Sequence, residues 1–170
     1  MQLETTRLLV REGRKEDIAG IMQFRNSEFV LQYNCMDMIN EEYCTKEIFN
    51  PYTWVIELKE NHEVIGVIDV HEDSIRYRIA SKELSYYLHE SYTKQGYMKE
   101  ALEVLISYLF TELQLECISA RAFTANEASH RLLLSLGFHQ DGVIPRCVKA
   151  YRDVIYDDGI YSLLKEEWRK

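Results

Sequence analysis

The stretch from residue 84 to residue 138 constrains the fold most, because strand and helix patterns alternate along it without a break. An alternating strand pattern at 84–88 leads into a turn with Gly96 and then into a helical pattern at 97–113. A strand pattern at 118–123 and a helix at 127–136 follow, and Gly137 is a typical helix end. The buried side of the longest helix is predicted to hold Leu102, Leu105, Ile106, Leu109 and Leu113.

Strand patterns also dominate the first part of the chain. Patterns at 54–58 and 64–70 flank the turn Asn61-His62 and predict a hairpin. Helices are predicted after Lys15 and at 41–49. Further strands are expected at 8–11, 138–144 and 154–163, and a last helical turn at 165–168. The fold class is therefore mixed α/β (α+β) with one central sheet.

Composition narrows the possible functions. The 170 residues include only two prolines and no Pro/Gly/Ser-rich linker, so we expect one domain over residues 1–170. The net charge is -8 and no basic run is present, which argues against nucleic-acid binding. An acidic chain favours a cationic partner, although the same charge also serves solubility.

Cysteine and histidine spacing predicts no metal site. The four cysteines form no CxxC pair and the five histidines form no HExxH pattern, so we expect reduced thiols and no metal. No apolar run is long enough to cross a bilayer, and the first ten residues lack a signal-peptide pattern. We therefore expect a cytoplasmic protein without membrane association.

The loop before the longest helix suits an anion. Gly96 permits a positive φ and a close approach of the backbone. The N–H groups at a helix start lack intrahelical acceptors, and together with the helix dipole they favour a pyrophosphate. Any strand–helix turn can hold one glycine, so the loop alone does not establish such a site. GxxxxGK[ST] and GxGxxG are both missing.

A second segment, from Asn126 to Phe138, has two interpretations. Asn126 is a suitable N-cap, and Ser129 lies in the first turn of the same helix, where its hydroxyl can simply satisfy a backbone N–H. Alternatively, the two side chains, one helical turn apart, face a common ligand. The residues alone leave this choice open.

Taken together, these segments resemble the GCN5-related N-acetyltransferase (GNAT) superfamily, and most closely its Rim-type branch, which includes ribosomal-protein N-terminal acetyltransferases. The resemblance rests on Ser-Tyr-Tyr-Leu at 85–88, the loop at 93–101, and Asn-x-x-Ser ending in Leu-Gly-Phe at 126–138. Segments at 3–8 and 161–168 also look like that branch, so nearly the whole chain is covered. The loop departs from the family, because Thr93, Lys94 and Met98 replace its usual residues.

The resemblance implies a sheet of six to seven mostly antiparallel strands, twisted and flanked by helices, in which a parallel pair splays apart to admit acetyl-CoA. The pantetheine arm would pair with free backbone groups like an added strand. Lys94 would either add a cation near the phosphates or remain a solvated loop residue. The residues implied to bind the cosubstrate are Tyr87, Leu88, Lys94, Gln95, Gly96, Tyr97, Met98, Lys99 and Asn126.

The implied chemistry is direct attack of an amine on the thioester, which needs a base for the amine and a proton donor for the thiolate. We favour Glu83 as the base. The alternative is a surface carboxylate paired with Arg76 or Arg78, and Asp69 and His71 are weaker candidate bases. We favour Ser129 as the donor, with Tyr87 and Tyr92 as alternatives, and a backbone N–H near Leu88 for the thioester oxygen.

The predicted function is thus transfer of the acetyl group of acetyl-CoA to a primary amine, either a protein N-terminal α-amine, such as that of a ribosomal protein, or a small amine. A catalytically silent acyl-CoA-binding module of the same fold and an interaction protein that binds no CoA are the rival hypotheses. A homodimer is implied by the resemblance alone.

Overall fold

The computed structural model describes residues 1–35 and 37–168, and its core is one sheet in the order β1-β2-β3-β4-β5-β6-β8-β7. The strands are β1 Gln2–Glu4, β2 Leu8–Arg11, β3 Thr53–Leu58, β4 Val64–Glu72, β5 Ser81–Leu88, β6 Cys117–Phe123, β7 His139–Lys149 and β8 Ile155–Leu164. The helices are α1 Ile18–Arg25, α2 Glu28–Leu31, α3 Glu41–Ile48, α4 Tyr97–Thr111 and α5 Glu127–Ser135. Short 3-10 turns occupy Lys15–Asp17, Glu90–Tyr92, Tyr151–Asp153 and Lys165–Glu167.

The mixed α/β class and the mostly antiparallel sheet are confirmed, but the described part of the chain forms eight strands rather than six to seven. The sequence analysis did not predict β1, because three residues are too few to show an alternation of polar and apolar side chains. The sequence analysis also did not predict α2, because its four residues make a single helical turn. Ser27 caps this turn by accepting the N–H of Val30. The expectation of one domain over residues 1–170 stays a prediction and includes residues outside the described ranges.

Helices cover both faces of the sheet, which explains why β3 is buried along its whole length. α4 buries Leu102, Leu105 and Ile106 completely against one face. On the other face, α1 and α3 pack Ile21 and Ile48 over the central strands. The functional elements are therefore held between two hydrophobic layers.

Two element ends differ from the sequence expectation. α4 ends at Thr111, so Leu113 lies beyond the helix and is 39% exposed rather than buried. β7 continues to Lys149, past the predicted end at residue 144, because its pairing with β8 tolerates an irregularity between Ile144 and Val148. Pro145 lies inside that irregularity, where a missing N–H donor removes no ladder hydrogen bond.

The only parallel neighbours among the described strands are β5 and β6, and they separate part-way along. Their register joins Ser81 to Cys117 and continues only to Leu84 and Ala120. Both strands run on, β5 to Leu88 and β6 to Phe123, without further pairing between them. The predicted splayed parallel pair is therefore present, and we call the gap between residues 85–88 and 121–123 the notch.

Helix length and polarity also bear on the membrane prediction. Within residues 1–35 and 37–168, no helix combines the length and the apolar character that crossing a membrane requires.

Leu105→Ala tests whether the α4 layer anchors the sheet. Because Leu105 is fully buried, the truncation should lower the free energy of unfolding by about 2–5 kcal/mol in urea denaturation. Leu134→Ala is the matched control, since Leu134 is 46% exposed on α5 and should change stability by less than about 0.5 kcal/mol. Equal effects of the two substitutions would contradict the described packing.

Candidate active site

Free backbone groups line the β5 side of the notch. The N–H of His89 donates to the carbonyl of Ile65 across the antiparallel β4–β5 pair. Since bonded and non-bonded positions alternate along such a pair, Tyr87 also bonds to β4, whereas Tyr86 and Leu88 direct their N–H and C=O groups away from it. These groups of Tyr86 and Leu88 face the notch, where β6 has already separated.

The loop that follows β5 delivers the N-terminus of α4 to the open end of the notch. Gly96 is the N-cap residue with φ 81°, in the left-handed region that favours glycine. Lys94, two residues earlier, also has a positive φ of 59°. The first backbone bond of the helix is from Glu100 N–H to the Gly96 carbonyl, so the N–H groups of residues 97–99 have no acceptor within the helix.

Arg7, between β1 and β2, holds this loop in place. Its Nε donates to Glu100 Oε2 at 2.7 Å, its Nη1 donates to the Gln95 carbonyl at 3.1 Å, and its guanidinium lies 4.2 Å from the centroid of the Tyr97 ring. Burial acts to raise the pKa of Glu100, but hydrogen bonds from Thr5 and Arg7 lower that pKa overall. Glu100 therefore stays ionised and keeps Arg7 beside the helix start.

The predicted loop residues contribute in different ways. Met98 is 7% exposed and belongs to the core beneath α4, so only its backbone can meet a ligand. Gln95 donates its side-chain amide to the Ser91 carbonyl at 2.9 Å, which closes the loop on itself. Lys99 is half-buried. Lys94 is exposed, so it can either lie near bound phosphates or remain a solvated loop residue.

A pair of hydroxyl groups lies beside the notch on the α4 and α5 face. The Ser129 hydroxyl and the Tyr86 phenol are 2.7 Å apart. Asn126 caps α5 by accepting the Ser129 N–H at 3.2 Å, as the capping interpretation expected. Burial raises the pKa of Tyr86, so its phenol stays protonated and can resupply a proton to Ser129.

Carboxylates collect on the opposite face of β5, because successive side chains point to opposite sides of a strand. The Tyr87 phenol donates to Glu47 Oε2 on α3 at 3.4 Å. Asp69 on β4 accepts a hydrogen bond from the Thr53 hydroxyl at 2.5 Å. Burial and then the charge of Asp69 raise the pKa of Glu47 to about 7, against the lowering effect of Arg25.

Glu83 lies on this same face, at the closed end of the notch, where β5 still pairs with β6. Burial raises its pKa, although the charge of Arg121 lowers it in part. Its Oε2 atom is buried and has no hydrogen-bond partner in the described part of the chain. The alternative interpretation paired Glu83 with Arg76 or Arg78, and of these two Arg76 bonds instead to Asp73 at 3.0 Å.

Most of the predicted residues thus lie on the strands, the loop and the helix that surround the notch. Tyr87 is an exception, because its backbone pairs with β4 and its ring faces α3, so only its neighbours Tyr86 and Leu88 face the notch. Sequence reasoning missed Glu47 and Arg25 entirely, and it assigned no catalytic role to Tyr86 and no role to Arg7. No local signal could have found them, because each acts through a partner far away in the chain. Within the described residues, no group of three or more His, Cys, Asp or Glu side chains could hold a metal ion.

Sequence comparison identifies the family to which this fold and its interrupted parallel pair belong. Residues 7–139 match the acetyltransferase (GNAT) domain family, so the chain belongs to that family. It is 32% identical to the uncharacterized N-acetyltransferase YoaA of Bacillus subtilis strain 168, in an alignment that covers 96% of each protein.

Solved structures share the fold over almost the whole chain. A ribosomal-protein-S5-alanine acetyltransferase from Vibrio fischeri superposes with a TM-score of 0.85 at 20% identity and covers 100% of both chains. A spermidine N-acetyltransferase from Vibrio cholerae, in complex with CoA and spermine, has a TM-score of 0.82 at 19% identity, covering 96% of this chain and 99% of the other. These likenesses establish the fold.

Gly96→Ala tests the strained helix start. A side chain at φ 81° should lower the free energy of unfolding by about 1–2 kcal/mol. Gly20→Ala, inside α1 with no atom within 4 Å of the added carbon, should instead raise it by about 0.5–1 kcal/mol. Urea denaturation measures both, and shifts of the same sign would show that Gly96 is not held in the left-handed region.

Proposed function

We propose that this GNAT-family protein is an acetyl-CoA-dependent N-acetyltransferase that acts on a primary amine by direct attack on the thioester. One observation carries the proposal: β5, which lines the notch, continues through a short loop into the N-terminus of α4. A single extended ligand with an anionic end and amide groups along its arm would satisfy both features.

Backbone groups do most of the binding in this proposal. The N–H groups of residues 97–99 would hold the pyrophosphate, while the free groups of Tyr86 and Leu88 would pair with the pantetheine amides and polarise the thioester oxygen. Asn126 keeps its cap and would contribute through its remaining amide N–H. Arg7 adds positive charge beside the loop at the place where phosphates would lie.

The chemistry needs no covalent enzyme intermediate. The nitrogen lone pair forms the C–N bond, the C–S bond breaks, and the thiolate receives a proton from Ser129, which Tyr86 resupplies. Glu83 is the base that the family resemblance implies, and its raised pKa is compatible with that role.

The acceptor is either a protein N-terminal α-amine, as in the Rim-type branch, or a small amine. The structural neighbours include one acetyltransferase of each kind. Both kinds of acceptor carry an ammonium group, which the carboxylates Glu47 and Asp69 beside β5 would attract. A cytoplasmic location is also proposed, because the cysteine spacing favours reduced thiols. A homodimer is proposed on the basis of the family resemblance alone.

Ser129→Ala tests the proton donor. Acetyl-CoA is titrated calorimetrically, and CoA release is then followed by a free-thiol assay with peptide N termini, polyamines and amino sugars. The variant should bind acetyl-CoA normally while kcat falls about 100-fold. Ser135→Ala, at the far end of α5, should keep full activity because its hydroxyl only donates to the Leu132 carbonyl.

The same assay separates the rival functions. Binding of acetyl-CoA without thiol release for any acceptor would favour a silent acyl-CoA-binding module. Absence of binding would refute the proposed function, because the notch and the α4 start would then not hold CoA.

A further inference from the structure

A cavity of about 270 Å³ lies between α3, β3 and β4, on the carboxylate face of the sheet. It is lined by Tyr43, Lys46, Glu47, Asn50, Tyr52, Thr53, Asp69, Val70 and His71. Two of its residues adjoin β5: Asp69 is paired with Ser85 in the β4–β5 register, and His71 Nε2 lies 2.8 Å from the Ser85 hydroxyl. Ser85 begins the unpaired part of β5, so the cavity meets the closed end of the notch from one side.

We propose that this cavity binds the ammonium group of the acceptor, and that Glu47 takes the proton that the amine must lose before it attacks the thioester. The proposal rests on the proposed acetyltransferase function and assigns to Glu47 the role of base that the resemblance gave to Glu83. Asp69 lies in the wall of the pocket, where it is buried and its position is set by the Thr53 hydroxyl. Burial raises its pKa, while the Thr53 hydrogen bond and the charges of His71 and Arg25 act to lower that pKa.

Charge balance within the cavity favours a cation. Glu47 and Asp69 both line it, and the charge of Asp69 adds to burial in raising the pKa of Glu47, as expected for like charges in a partly dry site. Lys46 at the rim is already paired with the exposed Glu42 at 2.7 Å. Arg25 supplies one positive charge near the two carboxylates, and a bound ammonium group would supply a second.

Arg25 is a buried cation whose charge acts on both carboxylates of the cavity. It is only 1% exposed, and its Nε and Nη1 atoms have no hydrogen-bond partner in the described part of the chain. Its guanidinium lies 5.5 Å from the centroid of the Tyr87 ring and lowers the pKa of both Glu47 and Asp69. Its positive charge therefore favours the ionised form of both carboxylates, which is the form that accepts a proton.

Glu47 is also better placed than Glu83 to exchange its proton. It is half-buried at the cavity wall and fixed by the Tyr87 phenol, whereas Glu83 lies where β5 and β6 are still paired. A base works best when its pKa is near the working pH, and that of Glu47 is about 7. The charged and titratable groups facing it are Arg25 from α1, Tyr52 beside β3, Asp69 and His71 from β4, Tyr87 from β5, and Tyr43, Cys44 and Lys46 from α3.

The proposed proton transfer balances as follows. One proton moves from the bound ammonium to the Glu47 carboxylate, which leaves a lone pair on nitrogen for the new C–N bond. After the C–S bond breaks, the thiolate gains a proton from Ser129. The nitrogen loses its second proton to solvent, and the Ser129–Tyr86 pair regains one proton from solvent. The products are an amide, CoA thiol and one proton, which Glu47 returns to solvent.

The pH dependence of kcat/KM tests this assignment. Glu47 must be ionised, so kcat/KM should rise with pH through about 7 and then level off. That midpoint should be the same for an alanine-initiated peptide and for an Nα-blocked lysine, whichever of them turns over, although their amines ionise near about 8 and about 10.4. The pH at which the plateau ends should instead differ between the two acceptors, because it should follow the pKa of the acceptor amine.

Three variants complete the experiment. Glu47→Gln should lower kcat/KM at pH 7.5 by about 100-fold and should abolish the midpoint near 7, so that the remaining rate follows the ionisation of the acceptor. Tyr87→Phe should move the midpoint to higher pH, because the phenol lowers the pKa of Glu47. Glu41→Gln, an exposed carboxylate in the first turn of the same helix, is the control and should change neither value.

The outcomes separate the two levels of inference. The proposal is overturned if Glu47→Gln keeps the wild-type rate and profile with an unchanged melting temperature, or if Glu83→Gln alone removes the midpoint. Wild-type protein that turns over no acceptor would instead refute the acetyltransferase function on which the proposal rests.

Discussion

Parallel pairing between β5 and β6 ends after Leu84 and Ala120, although both strands continue, and the site depends on this interruption. Unpaired backbone groups inside a protein are costly unless something satisfies them. The groups of Tyr86 and Leu88 that face the notch therefore act as a ready template for an extended ligand. On the α4 and α5 face, residues of both strands pack into one hydrophobic cluster.

The notch also divides the chemistry between two faces of one strand. Tyr86 and Tyr87 are neighbours in the chain but point to opposite sides, so Tyr86 meets Ser129 while Tyr87 meets Glu47. Hydroxyl groups that can donate a proton thus lie on the α5 side, and carboxylates that can accept one lie on the α3 side. A thioester held in the notch would lie between them.

Sequence patterns predicted the site only where its residues are local. Gly96 and the start of α4 follow directly from the turn and helix signals, and the structure confirms the left-handed glycine there. Asn126 was predicted as a cap and caps α5. In contrast, Arg7 reaches Glu100 across 93 positions of sequence, and Glu47 reaches Tyr87 across 40. Hydrophobic periodicity carries no information about such polar contacts.

The sequence by itself determined the mixed α/β class, the long helix behind Gly96 and the identity of the loop that starts it, because these depend on periodicity and on one backbone conformation. Tertiary structure decided that Glu47 lines a cavity and that Glu83 lies where β5 is still paired with β6. The ionisation of Glu47 and Glu83 depends on burial and on charges brought from other elements, such as Arg25 and Arg121. Those distances exist only after the sheet and its helices have packed.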